Sequence, residues 1–196
     1  MEDVRIDEGF SEDERDHVAA LYWEAFGRKL RPGFVDEPTG RAVVRAALRS
    51  DHLLVARRSG QVVGVCGYYE DGTGAADLRW SRLRESLSVH AALRASLVLS
   101  VLSRSQHPGA LVLDGICVDP AARGRGIGTA LLGAASDKAR RIGARVVRLS
   151  VIGTNSRARA LYERHGFTPA GHGSLGPLSP VYGFDGYTTM ELEVSR

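Results

Sequence analysis

Residues 111 to 132, Leu111-Val-Leu-Asp-Gly-Ile-Cys-Val-Asp-Pro-Ala-Ala-Arg-Gly-Arg-Gly-Ile-Gly-Thr-Ala-Leu-Leu132, combine two aspartates, four glycines and two arginines with two apolar runs. They read as an apolar strand, a basic glycine-rich turn and the first turn of an amphipathic helix. That order of parts can hold an anion. Glycines let the backbone N–H groups converge, and the helix start adds unpaired donors and about half a positive charge of dipole. A phosphate or pyrophosphate is the natural guest, although the same string also suits an ordinary strand-to-helix turn. A Walker loop is excluded because Gly128 is followed by Thr129 with no lysine. A dinucleotide fingerprint is excluded because Gly124, Gly126 and Gly128 run G-x-G-x-G behind an Asp119-Pro120 turn.

A second constellation lies downstream, Arg148-Leu-Ser-Val-Ile-Gly-Thr-Asn155-Ser-Arg-Ala-Arg-Ala-Leu-Tyr162-Glu-Arg-His-Gly-Phe167. It reads as a strand and then a compact helix that stops at Gly166. Asn155 and Tyr162 are seven residues apart, which puts them on one helix face roughly 10 Å from each other. Arg123-x-x-Gly126-x-Gly128 resembles the acyl-CoA signature of the GCN5-related N-acetyltransferase (GNAT) family. The Asn155 to Phe167 segment is similar to that family's second half.

The resemblance implies an α/β (α+β) fold, a twisted, mixed, mostly antiparallel sheet whose central parallel strands, near residues 111 to 118 and 145 to 151, splay apart and are flanked by helices. It implies acetyl-CoA as co-substrate, entering the splay, and an amine acceptor. Pantetheine would pair with main-chain groups around Ile116, Cys117 and Val118. The turn Arg123, Gly124, Arg125, Gly126, Ile127, Gly128 would hold the pyrophosphate, and Thr129 would add a hydroxyl. Asn155 would hold the cofactor arm, unless it is simply a helix cap. Tyr162 matches the tyrosine that hydrogen-bonds the thioester sulfur, and an unperturbed phenol keeps its proton at neutral pH; a core tyrosine beside Leu161 is the alternative.

The chemistry is direct attack of a primary amine on a thioester, so a base or a water relay must take a proton and an acid must assist the thiolate. A backbone donor must hold the oxyanion. Glutamates that serve as base in some relatives fall here on Val112 and Ser150, neither of which can do so. Asp114 is the best remaining carboxylate. Alternation puts it on the same side as Ile116, two residues on. It could instead anchor the acceptor's ammonium or bond backbone at a bulge. Glu70, Asp71 and Glu24 are weaker candidates. The expectation is an N-acetyltransferase for a small amine; a protein or peptide amino-group acetyltransferase and a non-catalytic acyl-CoA-binding module are the alternatives.

Elements elsewhere must position these residues. The chain has 196 residues, 43% of them hydrophobic, enough for one domain spanning 1 to 196. Val4 to Ile6 reads as a strand, and Ser11-Glu-Asp-Glu14 as a capping box opening a helix through Val18, Leu21, Tyr22, Ala25 and Phe26. Pro32 and Gly33 break it, and a second helix follows from about Thr39 to Arg49. Residues 52 to 58 and 62 to 69 form a hairpin across Ser59-Gly60. The stretch from Ala75 to Ser105 reads as a helical insertion that either shapes the acceptor side or enlarges the core. Residues 170 to 186, with five glycines, read as an irregular loop in which Tyr182 and Phe184 either line a pocket or pin the loop. Strands near Phe167 and from Tyr187 to Val194 close the chain.

Composition narrows the partners. Net charge is +3, and only Lys29 and Lys138 are lysines, so the positive charge is almost all arginine, which suits phosphate oxygens. Acidic residues are mixed throughout, so nucleic acid is not expected. No run suits a membrane span, and the acidic Met1-Glu-Asp-Val start lacks an export signal, so a cytoplasmic protein, monomer or homodimer, is expected. Cys66 and Cys117 sit in apolar runs and read as core residues, and no metal site is expected among the scattered histidines.

Overall fold

The computed structural model describes residues 4–70, 72–101 and 107–194. Asp71 therefore lies outside the described residues, as does the 102 to 105 end of the expected helical insertion. The strands are β1 (Arg5–Glu8), β2 (Leu53–Arg58), β3 (Gln61–Tyr69), β4 (Ala110–Val118), β5 (Val146–Ile152), β6 (Thr168–Ser174) and β7 (Gly186–Glu193). The helices are α1 (Arg15–Leu30), α2 (Glu37–Ala47), α3 (Trp80–Ser86), α4 (Val89–Ser100), α5 (Ile127–Arg141), α6 (Ser156–Arg164) and the single turn α7 (Ser179–Tyr182). The strands form one sheet in the order β1-β2-β3-β4-β5-β7-β6, antiparallel except where β4 meets β5. This is the mixed, mostly antiparallel architecture expected from the sequence.

Two cores cover the two faces of the sheet. Val18 and Tyr22 of α1, Val44 of α2, Leu83 of α3 and Leu99 of α4 pack on one face with Leu53, Val55 and Cys117. Ile127, Leu131, Leu132, Ala135 and Ala139 of α5 pack on the other with Leu111, Leu113, Val147 and Met190. The spacing of the α5 set is the apolar stripe that makes this helix amphipathic. Each fully buried leucine contributes about 1.5–3 kcal/mol. Cys66 belongs to the α5 face and Cys117 to the α1 face, and both thiols are free. Burial pushes the Cys66 thiol up to about 12 and raises Cys117 as well, so both are inert core groups.

The insertion is helical from Trp80, in α3 and α4, whereas residues 75 to 79 before them are not, Ala76 forming an isolated antiparallel bridge with Leu48. Ser88 caps α4, its side chain accepting from the Ala91 N–H at 3.4 Å. Ala92, Ala95 and Leu99 face inward, while Val89, Leu93 and Leu97 remain exposed. Gly33 fits beneath Leu99, whose Cγ would lie 3.0 Å from a Cβ there.

Residues 170 to 186 depart from the irregular loop expected. Residues up to Ser174 form edge strand β6, with a bulge between Pro169 and Gly171, followed by α7. The glycines permit the strand because β6 and β7 approach too closely for side chains: a Cβ on Gly173 would enter the Tyr187 ring, and one on Gly186 would lie 2.6 Å from the Gly173 carbonyl. Edge position also lets Pro169 stay in the sheet. Tyr182 pins this segment, its hydroxyl donating to the Val98 carbonyl of α4.

The capping box forms as expected, the Ser11 N–H donating to Glu14 at 2.9 Å in a short turn that leads into α1. Glu14 also pairs with Arg57 of β2 at 2.6 Å, both side chains about four-fifths buried. The Arg57 guanidinium holds the Glu14 carboxyl at about 2, below its ordinary 4.5. A group depressed in the folded state stabilises above its unfolded pKa and loses that contribution as pH falls through the folded value. Glu14→Gln should therefore cost about 1–3 kcal/mol at pH 7 in urea unfolding, with the deficit shrinking between pH 4.5 and 2.

Candidate functional site

The central strands are parted. β4 and β5 pair only through Ala110, Leu111 and Val112 with Val146, Val147 and Arg148. Beyond Val112, β4 continues on β3 as far as Val118, and β5 continues on β7 as far as Ile152. Each strand is held by its outer neighbour, and the β5-side edge of residues 113 to 118 borders a gap.

A bulge shapes that edge. Tyr68 pairs with Leu113 and Gly67 with Gly115, so Asp114 is an extra residue on β4. A bulge breaks alternation. Leu111 and Leu113 pack on the α5 face, Cys117 on the α1 face, and Ile116 again on the α5 face. Asp114 and Gly115 both face α1: Asp114 Oδ2 accepts from the Tyr22 hydroxyl at 3.0 Å, and a Cβ on Gly115 would enter the Phe26 ring. Strict alternation put Asp114 beside Ile116; the bulge places them on opposite faces. Gly74 makes room for the carboxylate, since a Cβ there would lie 3.1 Å from Asp114 Oδ2. Burial, reinforced by the nearby Asp114 carboxylate, pushes the Tyr22 phenol well above its ordinary range, so Tyr22 keeps its proton and its O–H remains the hydrogen-bond donor to Asp114.

Asp114 lies on the floor of a cavity of about 650 Å³. Val112, Arg148, Ser150 and Thr189 of the sheet share that floor. Tyr22, Phe26 and Lys29 of α1, Leu99 of α4, Phe184 and residues 72 to 74 and 76 to 80 form the walls. Phe184 thus lines the cavity, while Tyr182 does the pinning. The insertion contributes through α4 to the core and to a wall of this cavity. Val112 and Ser150, where the sequence lacks the glutamates of some relatives, flank Asp114 on this floor. Glu24 is exposed and paired with Arg123 at 3.1 Å, and Glu70 is tied by its backbone to Thr73; neither lines the cavity.

The glycine turn fits a pyrophosphate. Gly124 and Gly126 have φ of +78° and +79°, and an added Cβ at either meets nothing within 4 Å. The first helical bond of α5 runs from the Ala130 N–H to the Gly126 carbonyl at 2.9 Å, leaving the N–H groups of Ile127, Gly128 and Thr129 without an acceptor in the helix. Ile127 is 1% exposed, so it offers only its main chain. Arg125 and Thr129 are exposed at the mouth of the turn. Gly128 has a different duty, because a Cβ there would lie 2.9 Å from Leu161 Cδ2, so it sets the approach of α5 to α6. Arg123 turns back instead, donating to the Val118 carbonyl at 3.0 Å and to Glu24, and so ties the turn to β4 and α1.

Asn155 is the cap of α6, its side-chain oxygen accepting from the Ala158 N–H at 3.0 Å. Tyr162 is 7% exposed, its ring 5.9 Å from Phe167. It belongs to the α5 face, opposite Asp114, so the gap between β4 and β5 separates the two. Sequence reasoning did not single out Tyr22, Phe26 or Arg148 for the site; the first two read as helical core positions. Gly115 inside an apolar strand was a usable signal for the bulge and the close ring. Among the described residues no group of three metal-ligating side chains occurs, and no helix is long and apolar enough to cross a membrane.

The parted strands, the glycine turn and the cavity beside them lie together at the centre of one mixed α/β sheet. A family model described as the acetyltransferase (GNAT) family matches residues 15–167, and the chain belongs to that family of N-acetyltransferases, which use acetyl-CoA. An N-acetyltransferase structure from Staphylococcus aureus Mu50 is 20% identical, with 96% of this chain and 100% of that one covered and a TM-score of 0.70. A Salmonella typhimurium protein solved with its cofactor acetyl-CoA is 18% identical over 98% and 95% of the two chains, with a TM-score of 0.57. Both likenesses are of fold. A mycothiol acetyltransferase of Beutenbergia cavernae is 58% identical over 52 residues, 26% of this chain. The match spans about a fifth of that relative's length, 18%.

The turn predicts a selective loss. Gly126→Asp places a carboxylate where an anion would sit, in a backbone conformation that aspartate tolerates better than most residues. Calorimetry should show coenzyme A binding at least tenfold weaker, about 1.4 kcal/mol. Gly143→Asp, at a comparable φ of +72° and also open, serves as the control and should bind as wild type.

Proposed function

We propose that this protein transfers the acetyl group of acetyl-CoA to a primary amine of a small molecule bound in the cavity over β4, β5 and β7. The observation that carries this reading is Asp114, lifted by the bulge onto the floor of that cavity beside the gap between the strands. A cavity of about 650 Å³ is of the size that holds small ligands. Its walls, built by α1, α4 and the 72 to 80 segment, favour a small acceptor over a protein surface.

In this reading the pantetheine arm adds as a strand along the open edge of Ile116, Cys117 and Val118, acting through main-chain groups. Gly124, Gly126 and the N–H groups of Ile127, Gly128 and Thr129 hold the pyrophosphate, with Arg125 nearby. Arg123 fixes the turn rather than the phosphate. The remaining N–H₂ of Asn155 faces the cofactor arm.

Asp114 holds the incoming ammonium and takes its proton, directly or through water, with Tyr22 fixing the carboxylate by its hydrogen bond. The amine nitrogen forms its bond to the thioester carbonyl carbon, the carbon–sulfur bond breaks, and Tyr162 gives the thiolate its proton. Acid and base thus approach the gap from opposite faces of the sheet.

An acceptor screen with acetyl-CoA, read as released thiol, tests this reading. Tyr162→Phe should slow turnover by roughly ten- to a thousandfold with little change in coenzyme A affinity. Asp114→Asn should lower turnover; a rise in the Michaelis constant alone would reduce it to an ammonium anchor. Thiol release at wild-type rate in both variants would refute the assignment.

A further inference from the structure

Arg148 and Asp114 are opposite charges on one cavity floor. Leu149 and Val147 pack on the α5 face, which leaves Arg148 and Ser150 on the α1 face with Asp114. Arg148 pairs in register with Val112, two residues before Asp114. Strand geometry therefore puts the Arg148 and Asp114 Cα atoms roughly 8 Å apart, about 6.6 Å along β4 and 4.8 Å across.

The Arg148 side chain is 25% exposed and, among the described residues, makes one ion pair, from Nη1 to Glu191 Oε1 at 3.3 Å. Glu191 itself does not line the cavity. A guanidinium has five N–H donors in a planar fork, and one contact of this length uses a fraction of them. The walls are mixed, and Phe26, Leu30, Leu99 and Phe184 supply their apolar part. Of the other charged groups there, Asp77 is paired with Arg79 at 2.7 Å, and Lys29 stands over the Phe26 and Phe184 rings.

We infer that Arg148 selects an acceptor carrying a carboxylate close to its amine, so that the substrate class is a free amino acid with an apolar side chain. The ammonium meets Asp114, the carboxylate meets the Arg148 fork, and the side chain enters the apolar part of the walls. A bare alkylamine leaves Arg148 without its second carboxylate, and a peptide amino terminus has an amide where the carboxylate should be. This inference rests on the small-acceptor reading above and narrows it.

The test compares leucine and phenylalanine with isoamylamine and phenethylamine, which lack only the carboxylate, using acetyl-CoA and thiol release. Wild type should favour the amino acids at least thirtyfold in kcat/KM. Arg148→Gln should bring that ratio to within about threefold, chiefly by raising KM for the amino acids. Arg148→Lys, which keeps the charge but not the fork, should fall between. Coenzyme A affinity, measured by calorimetry, should be unchanged in both variants.

Equal or better use of the decarboxylated amines by wild type overturns the inference without any variant, as does a preference that survives Arg148→Gln. Acetylation confined to polyamines or peptides overturns it while the acetyltransferase reading stands. If no amine of any class consumes acetyl-CoA and coenzyme A does not bind, both readings fall together.

Discussion

The parting of β4 from β5 is the constraint on which the rest of the molecule depends. A sheet interior normally satisfies every backbone donor and acceptor by pairing, and an opened seam leaves polar groups that need a partner. The opening survives because each strand is pinned on its outer side, β4 by β3 and β5 by β7, and because the pairs from Ala110 to Val112 still tie the two at one end. Cores on both faces then hold the wedge open, with α1 above and α5 and α6 below. The gap is thus a product of packing across the whole sheet rather than of the residues that line it.

In the proposed reading, the groups that bear on chemistry are arranged about that seam from two directions. The α5 side supplies main-chain donors and Tyr162, and its geometry is set by small residues, above all by the close approach of Gly128 to Leu161. The α1 side supplies side chains, Asp114, Tyr22 and Arg148, in a cavity walled by helices distant in sequence. Burial of the Tyr22 phenol makes it a fixed donor, so the Asp114 carboxylate is oriented before any ligand arrives.

Much of this was legible in the chain. The capping box, the hairpin, the glycine turn and the compact α6 helix each rest on local chemistry, and each formed where the residues put it. What local chemistry could not supply was long-range. The β6 strand looked unlikely because glycines disfavour strands in isolation, whereas here they admit the Tyr187 ring and a close backbone crossing. Arg148 is seen on the cavity floor only once β5 is paired with β4 and β7. Asn155 was ambiguous between a cap and a cofactor contact, and its oxygen does the capping. Arg123 fitted the anion motif by type, yet its guanidinium is drawn to the Val118 carbonyl and Glu24, partners invisible without α1 in place.

The extra residue at position 114 divides β4 into two segments of opposite phase. Upstream of it odd-numbered side chains meet the α5 core, and downstream the even-numbered ones do. Removing or adding one residue within the strand would carry every later side chain into the wrong core while leaving the composition almost unchanged. The length of this segment is therefore as tightly specified as its lettering, and drift in this part of the chain must proceed by substitution, since the frame itself encodes which face is which.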